Sequence, residues 1–90
     1  MAVYYKRRRK PFIRNMSIEY CGTCNYRPMA ASLAMAVKQE TGVQAELIHS
    51  NDMGAFEVKV DGRLIFSKKQ SGRFPENAEV LAAIKASENE

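Results

Sequence analysis

The segment that decides the fold is MSIEYCGTC, residues 16–24. Its first half alternates apolar and polar residues, which is typical of a strand with one buried face. Its second half holds the only two cysteines of the chain, Cys21 and Cys24, separated by two residues. A helical pattern begins soon after Cys24, so the sequence predicts that both thiols lie where a strand leads into a helix.

The C-x-x-C spacing suits a redox site first and a metal site second. Two thiols at this spacing can close a small disulfide and reopen it, and a nearby helix N-terminus favours the thiolate. A zinc site needs about four ligands. Beyond the pair the chain offers only His49, so zinc would require a dimer or an outside ligand. Two inert buried thiols are the third interpretation. We favour redox chemistry, with Cys21 and Cys24 as the catalytic residues and no cofactor or metal.

A long helix is predicted after the cysteines. Residues 29–37 are rich in strong helix formers. Pro28 suits an early helical turn, and Gly42 suits the end of the helix. We expect the buried stripe of this helix to include Met29, Leu33 and Val37.

The rest of the chain predicts three more strands and a second helix. Strands are expected over residues 43–48, 56–60 and 63–67, and Asp61-Gly62 is a strong hairpin signal between the last two. Residues 67–74 form a polar, basic loop in this interpretation. The last helix is expected to open at Pro75-Glu76.

The predicted order of elements is therefore β-α-β-β-β-α. The first helix joins two strands that should be parallel, a crossover that is nearly always right-handed. We predict an α/β fold of the thioredoxin-like type, a two-layer sandwich with a four-stranded mixed sheet. The cysteine pair would lie at the carboxyl end of the first strand, where open α/β sheets usually place their chemistry.

Positive charge is concentrated at the N-terminus. The chain has a net charge of +4, yet residues 1–15 carry six basic and no acidic residues, while residues 16–90 carry eight basic and ten acidic ones. Self-repulsion within Lys6–Lys10 opposes compaction. We predict a basic flexible N-terminal extension, residues 1–15, and a domain over residues 16–90. We expect residues 1–14 to be dispensable for the fold, and Met16 is an alternative translation start.

Composition also bears on partners and location. No apolar run approaches the roughly 20 residues of a membrane helix, and the Arg-rich start lacks the apolar core of a signal peptide. We therefore expect a cytoplasmic protein without membrane association. Lys6–Lys10 could hold nucleic-acid phosphates nonspecifically. No recognition motif accompanies it, so we predict no specific nucleic-acid partner and favour a passive tail.

Two stretches of the chain resemble the selenoprotein W family, also called Rdx or SelT/SelW/SelH. They are YCGTCNYRP, residues 20–28, and GAFEVKVDGRL, residues 54–64, followed by Ser67-Lys68-Lys69, Gly72 and Pro75. The resemblance covers about residues 16–85 and implies a thioredoxin-like fold with a thiol- or selenol-based redox role. Cys24 stands where some members carry selenocysteine. Residues 1–15 have no counterpart in the family's core.

Two arguments assign the attacking thiol differently. Thioredoxin-type geometry makes the first cysteine, Cys21, the exposed nucleophile. The resemblance implies Cys24, because selenocysteine aligns there and a selenol attacks faster. Cys24 should also lie close to the helix start, which can stabilise its thiolate. We hypothesise that Cys24 attacks and Cys21 resolves. A loop at Met53-Gly54 is expected where a thioredoxin has its cis-proline.

The predicted function is that of a thiol–disulfide redox protein in cell redox homeostasis. Its partners would be protein or low-molecular-weight thiols, with glutathione as a candidate, and it would be a monomer or weak homo-oligomer. The alternative is a redox-responsive protein-binding module without turnover. Two further roles have alternative interpretations. His49 is either a surface loop histidine or a proton shuttle. Lys68 and Lys69 either belong to a solvated loop or form a positive rim that attracts acidic partners or glutathione.

Overall fold

A computed structural model describes residue 13 and residues 15–88. Its elements are β1 (Met16–Cys21), a 3₁₀ turn (Gly22–Cys24), α1 (Arg27–Thr41), β2 (Glu46–Ser50), β3 (Phe56–Val60), β4 (Arg63–Ser67), α2 (Lys68–Ser71) and α3 (Asn77–Glu88). The predicted order β-α-β-β-β-α is confirmed, and the 3₁₀ turn and the short α2 are additions to it.

The four strands form one mixed sheet in the order β2-β1-β3-β4. β1 is parallel to β2 and antiparallel to β3, and β3 is antiparallel to β4. The predicted parallel crossover through α1 is therefore confirmed. Because β1 is a central strand, the cysteine at its carboxyl end is held by neighbours on both sides.

One face of the sheet carries the core. Side chains alternate along a strand, so every second residue of β1 and of β3 points toward α1 and α3. The buried residues of this layer are Met16, Ile18, Tyr20, Phe56, Val58 and Val60 from the sheet, and Ala30, Leu33, Val37, Val80 and Ile84 from the helices. Burial of these side chains fixes the two-layer arrangement that was predicted.

The stripe predicted for α1 is wrong at Met29. This residue is 47% exposed, and Ala30 lies in the core instead. Successive residues of a helix differ by about 100° in direction, and the packing of α1 turns residue 30 toward the sheet. Leu33 and Val37 are buried as predicted.

Two boundaries differ from the prediction. β2 spans Glu46–Ser50 rather than residues 43–48, because its parallel register with β1 aligns Ser50 with Cys21. The last helix begins at Asn77, and Glu76 accepts the first helical hydrogen bond, from the Val80 N–H at 3.1 Å.

A short helix, α2, lies inside the segment predicted as a loop. Ser67 caps it by accepting a hydrogen bond from the Gln70 N–H at 3.2 Å. Gly72 ends it with a left-handed φ of 78°. Both residue types are common helix boundaries, but a single helical turn between them is too short to produce a periodic apolar pattern.

The predicted hairpin between β3 and β4 is confirmed. Asp61 and Gly62 have φ values of 50° and 85°, and two consecutive residues with positive φ are what a two-residue hairpin of this twist requires.

The packed core extends to Ile13, which is 6% exposed. Asn15 and Asp61 exchange two hydrogen bonds: the Asn15 N–H donates to Asp61 Oδ1, and the Asp61 N–H donates to the Asn15 carbonyl, both at 3.0 Å. Residues 1–12 and 14 lie outside the described residues, so the flexible extension and the alternative start remain predictions. Within the described part of the chain, no helix is long and apolar enough to cross a membrane.

Candidate redox site

Cys21 and Cys24 are joined by a disulfide, with their Cα atoms 5.4 Å apart. Cys21 is the last residue of β1, and Cys24 ends the 3₁₀ turn that follows it. Asn25 then takes a left-handed φ of 62°, which asparagine tolerates better than most residues. The chain is thereby redirected so that α1 can begin at Arg27.

The two sulfurs have different access to solvent. Cys21 is only 1% exposed, and its N–H donates to the Ala55 carbonyl at 2.8 Å. Its Sγ lies 3.6 Å from the Thr23 hydroxyl oxygen. Cys24 is only half-buried. Of the two cysteines, Cys24 is therefore the residue more accessible to solvent.

The loop after β2 lies beside the pair, as expected for the Met53-Gly54 segment. The Met53 Sδ lies 3.7 Å from the Cys24 Sγ, and the Met53 side chain is 72% exposed. Asp52 holds the loop in place. Its N–H donates to Ser50 Oγ at 2.9 Å, its carbonyl accepts from the Ala55 N–H at 3.1 Å, and its carboxylate pairs with Lys69 at 2.7 Å.

Aromatic side chains form a wall that includes Tyr26, two residues after Cys24. Tyr26 and Phe56 each meet the edge or face of Phe74, with ring centroids 4.7 and 5.3 Å apart. The Lys68 ammonium lies 5.5 Å from the Tyr26 centroid and 5.3 Å from that of Phe74, within cation–π range. Lys68 and Lys69 are thus both engaged, one with rings and one with Asp52, rather than simply solvated.

An open groove of about 230 Å³ lies between the start of α1 and the segment before α3. Pro28, Met29, Leu33, Phe74 and Pro75 supply most of its apolar lining. The groove shares Phe74 with the aromatic wall, and Pro28 and Met29 follow the cysteine motif closely.

His49 contacts the cysteine motif. It lies within β2, not in a loop after the strand as predicted, and its side chain is exposed. A Cβ atom added to Gly22 would overlap the His49 ring. The same ring stands edge-on to Tyr20, with centroids 6.0 Å apart, and the Tyr20 hydroxyl accepts from Arg27 at 3.0 Å. Glycine at position 22 is what allows this close approach.

Sequence reasoning identified both cysteines and the Met53-Gly54 loop, but not the contacts around them. The approach of His49 to Gly22 follows from the register of β1 and β2, which pairs Tyr20 with His49. No local sequence pattern records that register. Among the residues described, no group of three or more His, Cys, Asp or Glu side chains is placed to hold a metal ion.

The chain matches a known protein family and two curated relatives. Residues 15–86 match the family model of the Rdx family. The chain is 37% identical over 73 residues to migration and invasion enhancer 1 of Mus musculus, and 36% identical to the protein of the same name from Bos taurus. Each alignment covers 80% of this chain and 63% of the relative, so the chain spans somewhat less than two thirds of these relatives' length.

Two crystal structures have a similar fold. A selenoprotein W-related protein from Vibrio cholerae superposes with a TM-score of 0.73 at 26% identity, over 80% of this chain and 92% of that one. A protein from Bordetella parapertussis gives a TM-score of 0.74 at 21% identity, over 81% and 95% of the two chains. With the family match over most of its length, a thioredoxin-like sheet and a bonded Cys21–Cys24 pair, the chain belongs to the Rdx family.

Proposed function

We propose that the chain is a cytoplasmic thiol–disulfide redox protein in which Cys24 attacks and Cys21 resolves. The observation that carries this order is the difference in burial: Cys21 is 1% exposed, whereas Cys24 is only half-buried. α1 begins three residues after Cys24, and no side chain caps its N-terminus. Uncapped N–H groups near a cysteine favour its thiolate.

The reaction proceeds by two exchanges. The Cys24 thiolate attacks one sulfur of a partner disulfide, forms a mixed disulfide and releases one partner thiolate. The Cys21 thiolate then attacks the Cys24 sulfur, closes the Cys21–Cys24 bond and releases the second thiolate. Two electrons pass from the pair to the partner, and glutathione or another thiol reverses both steps to regenerate the dithiol.

A titration against glutathione tests the proposal. Across buffers of increasing oxidised fraction, the protein should lose the mass of two hydrogens as the pair closes. Its potential should fall in the range of roughly −270 to −120 mV found for such pairs. If the protein shows no such mass loss on oxidation and binds no zinc, the redox assignment is wrong.

Trapping the mixed disulfide tests the order of attack. Cys21→Ser leaves the exposed thiol without a resolving partner, so glutathione disulfide should convert it to a stable mixed disulfide. Cys24→Ser should form its adduct at least tenfold more slowly, because the remaining thiol is buried. Equal rates in the two variants would contradict the proposed roles.

The groove beside the aromatic wall supports a second candidate, a redox-responsive binding module without turnover. Its apolar lining and the 47% exposed Met29 suit the docking of a partner protein. A turnover assay separates the two candidates. Saturable reduction of a disulfide substrate over many cycles supports the oxidoreductase, and stoichiometric consumption of the pair alone supports the module.

A further inference from the structure

The exchange steps proposed above do not use the contact between Met53 and Cys24. Met53 is 72% exposed, so dissolved oxidants can reach its side chain, and its sulfur lies 3.7 Å from the Cys24 sulfur. Oxidation of methionine to its sulfoxide is reversible, and it converts a flexible apolar side chain into a polar one. Asp52, the residue before Met53, holds this loop through the bond of its N–H to Ser50 Oγ and its ion pair with Lys69, which keeps the Met53 backbone beside the cysteine motif.

We propose that Met53 is a reversible oxidation site that the Cys21–Cys24 pair of the same chain repairs. This inference rests on the proposed redox role of the pair. It adds an intramolecular activity: reduction of a methionine sulfoxide at position 53. Peroxide is the class of oxidant that forms the sulfoxide, giving up one oxygen atom to the thioether and leaving as water.

The repair balances in two steps. The Cys24 thiolate attacks the sulfoxide sulfur, and the oxygen is transferred to give the Met53 thioether and a sulfenic acid on Cys24, with a proton from solvent. The Cys21 thiolate then attacks the Cys24 sulfur, the disulfide forms and the oxygen leaves as water. The sulfoxide gains two electrons and the cysteine pair loses two.

The geometry suits this reaction. Reacting atoms in a near-attack arrangement lie about 3–3.5 Å apart, and the sulfur atoms here are separated by little more than that. The structure also has the arrangement that the repair would leave behind: a closed disulfide with the reduced thioether against Cys24. Methionine's three rotatable bonds allow the remaining adjustment.

Met35 is a matched control within the chain. It is 63% exposed, so peroxide reaches it about as readily as Met53. It lies in the middle of α1, roughly 12 Å along the helix axis from Arg27 at 1.5 Å per residue. A sulfoxide at Met35 is therefore out of reach of Cys24 unless the helix unfolds.

The test follows both sulfoxides through reduction of the pair. The disulfide form is oxidised with hydrogen peroxide, the peroxide is removed with catalase, and dithiothreitol then opens the disulfide. Peptide mass spectrometry should show the Met53 sulfoxide disappearing at least tenfold faster than the Met35 sulfoxide. Only one of the two sulfoxide epimers should fit, so loss that stops part-way also supports the proposal. Equal rates at both positions would overturn it.

Cysteine variants assign the chemistry. In Cys24→Ser, both sulfoxides should persist equally under dithiothreitol, and preferential loss at Met53 would exclude Cys24 as the attacking group. In Cys21→Ser, Cys24 is protected as a mixed disulfide with glutathione during the peroxide step. After reduction and rapid removal of the reductant, loss of the Met53 sulfoxide should leave a sulfenic acid on Cys24 that dimedone captures. Absence of that adduct while the sulfoxide is lost would overturn the proposed step.

A second readout follows the cysteines rather than the methionine. The two variants are treated with peroxide and rapidly reduced, and all oxidant and reductant are then removed. The Met35→Leu variant should re-form its disulfide, because it retains the Met53 sulfoxide that oxidises the pair. The Met53→Leu variant should not. Equal re-formation in both would overturn the inference. That result would not overturn the proposed function, which the glutathione titration tests separately. A pair that titrates with glutathione but leaves the Met53 sulfoxide intact is a redox pair without this repair activity.

Discussion

Cys21 ends a central strand under the loop that follows β2, whereas Cys24 reaches the surface beside Met53. The first sulfur is shielded by packing and the second is not, although the two residues are chemically identical. Reactivity toward an external reagent should therefore follow access and proximity to the start of α1.

Alkylation rates measure this difference directly. Iodoacetamide should modify Cys21→Ser, which retains Cys24, at least tenfold faster near neutral pH than Cys24→Ser, which retains Cys21. The thiol pKa in Cys21→Ser should lie below the ordinary value of about 8.5 for a free cysteine. Titration of the alkylation rate against pH gives both quantities, and faster reaction of Cys24→Ser would reverse the assignment.

Gly22 and His49 provide a second test at this scale. Gly22→Ala should push the His49 ring away from the motif and from Tyr20, with a loss of roughly 1 kcal/mol of unfolding free energy, the scale of a ring–ring contact. In a His49→Ala background the ring is absent, so the same substitution should be nearly neutral. Urea unfolding of the four proteins measures the coupling, and equal losses in both backgrounds would show that the ring is not the obstacle.

The sequence was informative about these residues wherever the signal is local. C-x-x-C spacing followed by a helical pattern was enough to predict the cysteine pair. The contacts of His49 and Met53 bring together residues about 27 to 29 positions apart, and they depend on how β2 aligns with β1. Strand register across a crossover is set by packing of the whole sheet, so it could not be predicted from either segment.

At the scale of elements, the start of α3 is organised by Arg73 and Glu79. Two hydrogen bonds join them, at 2.9 and 2.7 Å, and the Glu79 carboxylate also accepts from the Glu76 N–H at 3.2 Å. The bonds with Arg73, followed by the one with Glu76, lower the pKa of Glu79 from 4.5 to about 2. Both side chains are more than a third exposed, at 54% and 38%, so solvent screening keeps the effect on stability small.

The pH dependence of this pair has a definite sign. A carboxyl whose folded pKa is lowered stabilises the fold above its unfolded pKa, and that contribution is lost as the pH falls from about 4.5 through about 2. Glu79→Gln should therefore unfold at lower urea concentration than the parent chain at pH 6, and the gap should close by pH 2. Glu76→Gln is the matched control, because it removes the same charge but neither bond to Arg73. A gap that stays constant with pH would contradict the assignment.

Elements with their own local signals were predicted well. Alternation in β3 and the Asp61-Gly62 turn specify a hairpin without help from the rest of the chain. β2 was placed too early, because the apolar start of its segment serves instead as the connection after α1. α2 was missed, since a single turn between Ser67 and Gly72 has no periodicity to detect.

At the scale of the whole molecule, Ile13 belongs to the core although it precedes the predicted domain. Because Ile13 is buried, we now expect residues 1–11 to be dispensable for the fold, but not Ile13. A chain beginning at Phe12 should melt within a few degrees of the full chain. A chain beginning at Met16 loses Ile13 and the Asn15–Asp61 hydrogen bonds, and should melt lower by roughly 10 °C or more.

Differential scanning calorimetry of the two shortened chains makes the comparison. Ile13→Ala in the full chain separates the side chain from the backbone contacts, and removal of one buried isoleucine should cost roughly 2–5 kcal/mol. Equal melting of the two shortened chains would show that the domain begins at Met16, as the sequence alone suggested.

The ring closed by Cys21 and Cys24 is small, because the two residues are only 3 positions apart in the chain. The stabilisation that a crosslink gives by restricting the unfolded chain grows with the loop it closes, and for four residues it is about 2 kcal/mol in the chain-entropy treatment. The hydrophobic cluster between the sheet and the helices is formed by other side chains. We therefore expect the molecule to keep one shape in both oxidation states. Any partner that tells the two states apart must do so at the sulfur atoms themselves, on the small patch of surface where Cys24 and Met53 meet.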